Sequence, residues 1–407
     1  MDFSPSPKSE KIRQEVVNFI EQKILPLELL TIKKGREASG NHKKWTSDPQ
    51  VESLKKQAQQ QGLWNLFLPE GENGLSNLDY APIAEATGRT LLAPEIFNCN
   101  APDSGNMELL WKYGSEKQKA QWLGPLMRGE IRSAFCMTEP DVASSDATNM
   151  KATINAKADQ VLINGRKWWS TGLGHPNCRL LIVMGLSLPD ADQHRRHSMA
   201  LVPSDAEGVS IERMLPVFGT YDPPYGHGEV SFNNVLINQS DLIGQLGDGF
   251  SIAQGRLGPG RIHHCMRLIG MAERALEMMV ERSVERVAFG KPLFKLGGNA
   301  DIIANARMNI EMARLLTLKA AYQLDHYGIK QAISEVSQIK VIAPRVACEV
   351  IDQAIQMFGG AGLSDDTALA SMYSYARIMR LADGPDEVHL SQIAKVEMKK
   401  IGLQTSK

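Results

Sequence analysis

The stretch Phe135-Cys136-Met137-Thr138-Glu139-Pro140-Asp141-Val142-Ala143-Ser144-Ser145-Asp146 is dense in hydroxyl groups and follows a helical segment. Thr and Ser side chains, together with free backbone N–H groups in a loop, suit polar ring edges and phosphates. The same residues also read as a capped turn. Further along, Trp169 and Thr171 lie two positions apart in a strand-like run and so share a face. A flat aromatic body beside a hydroxyl can pack against an isoalloxazine ring and hydrogen-bond its edge. Tryptophan in a strand is more often core, and Trp168, facing the other way, reads as core. Near the C-terminal end, Asp383-Gly384 precedes Asp386, Glu387 and His389, although Asp-Gly is also a common turn pair.

These residues need elements to position them. Up to about residue 135 the chain reads as helical: Ser9 is an expected cap before Ile12, Val16, Ile20 and Ile24, and Pro26 is an expected stop. A second helix is expected over Val51 to Gln61, stopped by Gly62, and a later one has Ser115 as cap and Pro125 as boundary. Between about 135 and 245 short β-rich runs follow. QVLI-NG-RKWWST predicts two strands meeting in a hairpin at Asn164-Gly165. Further strands are expected at Leu180 to Met184, Met199 to Val202 and Glu229 to Phe232. Beyond 247 helical periodicity returns, with Leu268, Met271, Ala272, Ala275 and Met279 on one face. Val336, Ile339, Ala343, Val346, Val350, Ala354 and Met357 form another, with a kink or break expected at Pro344. The expected class is α+β: an N-terminal helical domain (1–134), a middle small β-barrel or β-sheet domain (135–246) and a C-terminal four-helix bundle (247–407).

With 43% hydrophobic and 22% charged residues and a formal net charge of -1, the chain has an ordinary globular composition. That balance gives no electrostatic reason for a nucleic-acid or anionic-membrane partner. No apolar run approaches the roughly 20 residues needed to span a bilayer. The N-terminal MDFSPSPKSEKIRQEVV lacks an apolar signal core, and the five scattered cysteines lack metal or disulfide spacing, so a cytoplasmic setting with reduced thiols and no metal is expected. No GxGxxG follows a strand.

Five separated motifs occur in one order. They are Thr138-Glu139-Pro140 with Ser145-Asp146; Asn164 to Thr171 (NGRKWWST); Arg286-Val287-Ala288-Phe289-Gly290; Gln356 to Gly362 (QMFGGAG); and Asp383-Gly384. Together they resemble the acyl-CoA dehydrogenases across the whole chain. The segments Ala382 to His389 and Thr220 to Gly228 are most similar to the branch containing the dehydrogenase part of kinase-fused members.

The resemblance implies FAD as cofactor and flavin-dependent α,β-dehydrogenation of an acyl-CoA to the trans-2-enoyl-CoA. Phe135, Met137, Thr138 and Ser145 match the flavin-facing loop, with Ser145 also near the pantetheine or thioester. Trp169 and Thr171 match the pair beside the ring. Arg286 matches an arginine reaching the pyrophosphate of a neighbouring subunit, within the motif that includes Phe289, and Gln356 and Gly360 match contacts to the adenosine half. Arg261 and Gly384 are carried over as substrate-binding. Asp383 stands where most members have a glutamate base, one methylene shorter, and Gly260 occupies the position of the alternative base on an earlier helix. Pro385 and Glu387 replace a Thr and a Gln that usually contact FAD. Asp386, Glu387 and His389 are the nearby alternatives to Asp383.

An electron-transferring flavoprotein as acceptor, a homo-oligomer (dimer or tetramer) and a role in fatty acid β-oxidation complete what the resemblance implies. Some of the similar branch process 4-hydroxyacyl-CoA through a phosphorylated intermediate. That chemistry would give His263 and His264 a place at the active site, against the plainer reading of polar helix-face residues. Nitroalkane oxidases, which use an aspartate at the corresponding place, and a non-catalytic binding scaffold are the other readings.

Overall fold

The structure is a computed structural model that describes residues 2–68 and 74–402, with backbone only for 257–259. Residues 1 and 403–407, the outer ends of the first and last expected domains, lie outside the described residues. Helices come first, a mixed sheet follows, and long helices close the chain.

Helix α1 (Pro7–Phe19) begins one turn earlier than Ser9, because Ser6 Oγ accepts from Ser9 N at 3.2 Å and Pro7 needs no N–H partner in the first turn. Ser9 instead lies inside the helix, buried, its hydroxyl donating to Asp79 O at 2.5 Å. Pro26 does not stop the helix. A π-helical turn over Ile20–Ile24 leads directly into α2 (Leu25–Glu37), so the proline sits at the start of a resumed helix. The same device carries the chain past Pro125, after a capping box in which Ser115 and Gln118 satisfy each other's backbone N–H. Helix α3 (Pro49–Gln60) ends before Gly62, which takes φ +71°. Helices α4 (Asn77–Thr87) and α5 (Asp103–Tyr113) complete this part.

The sheet has eight strands: β1 (Arg132–Cys136), β2 (Thr153–Lys157), β3 (Gln160–Thr171), β4 (Cys178–Leu186), β5 (His197–Pro203), β6 (Val209–Met214), β7 (His227–Asn238) and β8 (Leu242–Ile243). The order is β6-β7-β3-β2-β4-β5-β8, with β1 parallel to β4. The hairpin expected at Asn164-Gly165 is not there. β3 runs through both residues as one strand paired with β7, and its register slips between Ile163 and Gly165 and again between Lys167 and Ser170. Gly165 takes φ +143° where a Cβ would lie 2.4 Å from that of Ala152, while Asn164 Oδ1 accepts from Asn234 N at 2.8 Å. The Asn-Gly pair therefore makes a β-bulge rather than a turn. The tight turn falls earlier, at Ala158-Asp159 between β2 and β3.

Helix α6 (Gly249–Glu285) is followed by α7 (Asn299–Tyr327), α8 (Ile329–Phe358), α9 (Leu369–Ile378) and α10 (Asp386–Lys400). The expected face of α6 and the Val346, Val350, Ala354 and Met357 part of that of α8 share one core with Ala306, Ile310, Leu369 and Met372, and Val336, Ile339 and Ala343 are buried as well. Helix α8 continues through Pro344 without a break.

The chain forms two compact units that interleave along the sequence. One comprises residues 1–33, 61–95 and 261–407, joining the first helices to the last ones; the other comprises 34–60 and 96–260 and contains the sheet. In the helical unit α4 and α6 approach until backbone meets backbone. A Cβ on Gly270 would lie 1.8 Å from Glu85 O, and one on Gly88 1.9 Å from Arg267 O. Arg274 adds a bidentate pair to buried Glu28 at 2.9 and 2.6 Å. We therefore expect Gly270→Ala to cost at least the ~1–3 kcal/mol typical of overpacking. Its thermal unfolding midpoint should fall clearly below that of the parent protein; an unchanged midpoint would contradict this crossing.

Candidate active site

Two clusters hold the candidate residues, one in each unit. In the sheet unit, Phe135 lies on β1 with the Arg256 guanidinium over its ring at 4.0 Å, and Met137 and Thr138 follow at the strand end. A buried ion pair fixes this loop: Lys167 Nζ donates to Glu139 Oε1 at 2.7 Å and to Met137 O at 2.9 Å. Glu139 also accepts from the N–H groups of Lys151 and Ala152, at 2.7 and 2.9 Å, and Trp168 N donates to Thr138 O at 3.0 Å. Burial pulls the Lys167 ammonium below the usual lysine range while Glu139 opposes it. Ser145 is exposed on the same loop.

Trp169 breaks strand alternation with φ +52°, and its indole stays 41% exposed although it is flanked by core. The expected pairing with Thr171 survives this irregularity, since both touch His227. The Trp169 and His227 ring centroids are 5.8 Å apart, and Thr171 Oγ1 lies 2.9 Å from His227 Nδ1. Trp168 is half-buried rather than fully enclosed. Lys167 and His227 escaped the sequence reading because their partners are distant in the chain; a charged residue inside the alternating β3 run was the available signal.

In the helical unit, Asp383 occupies a tight turn between α9 and α10. Asp383 has φ +56° and Gly384 φ +100°. The Asp383 carbonyl accepts from Arg261 Nε at 3.1 Å and lies 3.3 Å from His389 Nε2. Lys340 Nζ holds Met379 O at 2.5 Å and reaches Gly384 O at 3.4 Å. Arg261, Lys340 and His389 are all buried, so the turn is held from three sides by cationic or N–H donors. Burial pulls Lys340 and Arg261 below their ordinary values, with Asp383 opposing in both cases. Burial, then the charges of Arg261 and Lys340, bring His389 down to about 4. The carboxylate side chain of Asp383 remains 21% exposed, and its Oδ2 lies 3.5 Å from His264 Nε2.

The alternatives to Asp383 are otherwise engaged. Asp386 Oδ2 accepts from Arg345 Nε at 3.0 Å and Arg380 Nη2 at 2.7 Å, tying α10 to α8. His389 Nε2 faces a carbonyl oxygen, which can only accept, so that nitrogen carries the proton. Glu387 is exposed, and Pro385 caps α10 without a side-chain hydrogen bond. His263 is core: it packs edge-on to Tyr80 and Phe67, at 5.0 and 6.3 Å, and burial holds it far below the usual imidazole range. Lys340, an ammonium within the buried stripe of α8, was missed, although a lysine among Val336, Ile339 and Ala343 was the clue.

Arg286, Phe289, Gln356 and Gly360 belong to the helical unit but not to this cluster. All four are exposed, Phe289 at 97% with φ +50° in a tight turn and Gln356 at the end of α8 beside Gly359.

Sequence models of the acyl-CoA dehydrogenase N-terminal, middle and C-terminal domains match residues 6–130, 134–235 and 247–398. The chain belongs to the acyl-CoA dehydrogenase family. The mouse protein named "Acyl-CoA dehydrogenase family member 11" is 51% identical over 398 residues, 97% of this chain and 51% of that protein. The chain thus spans about half the length of that relative. "Probable acyl-CoA dehydrogenase FadE2" of Mycobacterium tuberculosis is 52% identical over 401 residues, 98% of this chain and 97% of that one. A solved Mycobacterium abscessus structure, assigned to the acyl-CoA dehydrogenases, superposes with TM-score 0.95 at 55% identity, covering 98% of this chain and 100% of that one. Butyryl-CoA dehydrogenase from Megasphaera elsdenii gives TM-score 0.82 at 25% identity, again covering 98% and 100%. No described helix is long and apolar enough to cross a membrane.

Acyl-CoA dehydrogenases are FAD-dependent oxidoreductases, and membership brings that cofactor to this chain. The sheet unit fits it. A half-exposed indole offers a planar face, Thr171 offers a hydroxyl beside it in sequence, and Thr138 and Ser145 offer hydroxyls on a loop held by Lys167 and Glu139. Removing the ammonium with Lys167→Met would leave the buried Glu139 carboxylate uncompensated, a change that typically costs ~3–5 kcal/mol. We expect purified Lys167→Met to carry much less flavin and to melt earlier. A variant with full flavin content and parental stability would show that the pair does not hold the loop.

Proposed function

We propose that this chain catalyses α,β-dehydrogenation of an acyl-CoA thioester, with Asp383 as the base that removes the α-proton. The observation that carries the reading is the Asp383 turn. Its carboxylate is partly exposed beside His264, whereas Asp386 is held by Arg345 and Arg380 and Glu387 is exposed. The surrounding donors explain how an aspartate can serve. Arg261 and His389 grip the Asp383 carbonyl, so the backbone that carries the carboxylate is fixed. Misplacement of a reacting group by about 1 Å can cost around a hundredfold in rate, so a short side chain needs a rigid base.

Phe135, Met137, Thr138, Ser145, Trp169 and Thr171 would hold the flavin ring, with Ser145 also serving the thioester; Arg261 and Gly384 would bind substrate. When bound, FAD supplies the acceptor for the β-hydride. The Trp169 indole covers and desolvates; Thr171, held by His227, presents its hydroxyl at a fixed place. Arg286, Phe289, Gln356 and Gly360 would meet the cofactor of a second copy. An aromatic ring exposed at 97% buries nothing within its own chain, so a dimer or tetramer follows from the same reading. Pro385 offers neither a side-chain donor nor an N–H, so any cofactor contact there is through its ring or carbonyl, and Glu387 can only accept when ionised. Electrons would leave to an electron-transferring flavoprotein, as in β-oxidation.

The test is anaerobic mixing of the flavin-loaded protein with straight, branched and 4-hydroxy acyl-CoAs. We expect flavin bleaching with at least one, and bleaching slowed by at least about a hundredfold in Asp383→Asn. Full-speed bleaching in that variant would remove Asp383 from its role. Oxygen-dependent turnover of nitroalkanes with no response to any acyl-CoA would replace the reaction itself.

A further inference from the structure

His264 lies one turn from Arg261 on α6, buried, with Asp383 on one side and Arg267 on the other. Arg267 Nη2 is 3.3 Å from His264 Nδ1, and His264 Nε2 is 3.5 Å from Asp383 Oδ2. A guanidinium has only donors and does not lose its proton in proteins. Nδ1 must therefore be the acceptor, which leaves the single imidazole proton on Nε2, facing the carboxylate.

We infer that Arg267 and His264 form a relay of hydrogen-bond direction that orients the Asp383 carboxylate and keeps it ionised. Resting on the proposed dehydrogenation, this makes His264 a positioning residue for the base. The relay runs from the guanidinium into Nδ1 and from Nε2–H toward Oδ2. The imidazole faces Oδ2, one of the two oxygens of the proposed base. A hydrogen bond to the charged form favours it, and a neutral imidazole achieves this without adding a fifth charge to a turn already faced by Arg261, Lys340 and Arg267. Protonation of His264 would place an N–H against the Arg267 guanidinium, so the arginine opposes it. At 3.5 Å the His264–Asp383 contact is long, and such contacts in substrate-free sites commonly tighten when substrate arrives.

The other groups around the turn do not supply this function. His389 donates to the Asp383 backbone carbonyl, Lys340 to the carbonyls of Met379 and Gly384, and Asp386 is neutralised by Arg345 and Arg380. Cys265 is buried, with its thiol pushed up to about 12, and so contributes no charge.

The flavin-loaded protein and its His264→Leu and His264→Gln variants are compared in flavin reduction by the fastest of butyryl-, octanoyl- and palmitoyl-CoA, across pH. Glutamine can accept from Arg267 with its oxygen and donate to Asp383 with its amide, so it preserves both directions. We expect His264→Leu to reduce flavin about 10- to 100-fold more slowly, and its acid limb to move up by about one pH unit. His264→Gln should stay near the parent in both. Equal rates and limbs for Leu and parent, or a Gln variant as impaired as Leu, would overturn the relay. Neutron diffraction of holoenzyme crystals in D2O decides it without turnover: deuterium on Nε2 and not Nδ1 supports it, and deuterium on Nδ1 overturns it. A parent unreactive to all three thioesters would count against the proposed reaction, while the neutron result would still judge the hydrogen-bond direction.

Discussion

The account depends on how one short turn is gripped. Asp383 adopts a left-handed conformation that is sparsely populated for residues with a side chain, although aspartate tolerates it better than most. Such a conformation persists only when its surroundings over-determine it. Here Arg261 and His389 hold the Asp383 carbonyl, and Lys340 holds the carbonyls of Met379 and Gly384. Three side-chain donors thus fix the backbone between Met379 and Gly384, and the carboxylate is placed by what holds its main chain. Gly384 could not be otherwise: its φ is +100°, and a Cβ would lie 3.0 Å from His389 Nε2.

Each donor is itself anchored. Arg261 and His264 ride on α6, whose course against α4 is set by backbone contacts at Gly88 and Gly270 and by the Arg274–Glu28 pair. Lys340 extends from the buried stripe of α8, and Asp386 binds α10 back to α8 through Arg345. The apolar core common to α6, α8 and α9 therefore does chemical service, since Arg261, His264 and Lys340 extend from helices that share it. In the sheet unit the same logic runs through Lys167 and Glu139, a buried pair whose hydrogen bonds shape the Thr138 loop, where the Ser144 hydroxyl also accepts from Glu139 N.

Much of this was legible in the sequence. The order of helices, sheet and helices followed from a change of hydrophobic period, and the periodic faces of α6 and α8 are the ones that are buried. Arg261, named from the motifs, meets the Asp383-Gly384 turn through the Asp383 carbonyl. Local punctuation misled where tertiary context rewrote it. Pro26 and Pro125 continue helices through π turns, and Asn164-Gly165 is a bulge in an unbroken strand because β7 pairs along nearly its full length. Arg267 and Lys340 were hidden for a different reason. They sit on periodic helices where sequence alone gives their face but not the polar group waiting opposite, and His264 entered only through a different chemistry.

Incorporation of solvent deuterium at the α-carbon of a bound acyl-CoA, followed by NMR in D2O, isolates the step assigned to Asp383 from everything that follows it. The partly exposed carboxylate should trade its acquired proton with solvent, so the parent protein should label the α-position and Asp383→Asn should label it no faster than protein-free buffer. Equal labelling by the two proteins would contradict the account at its root.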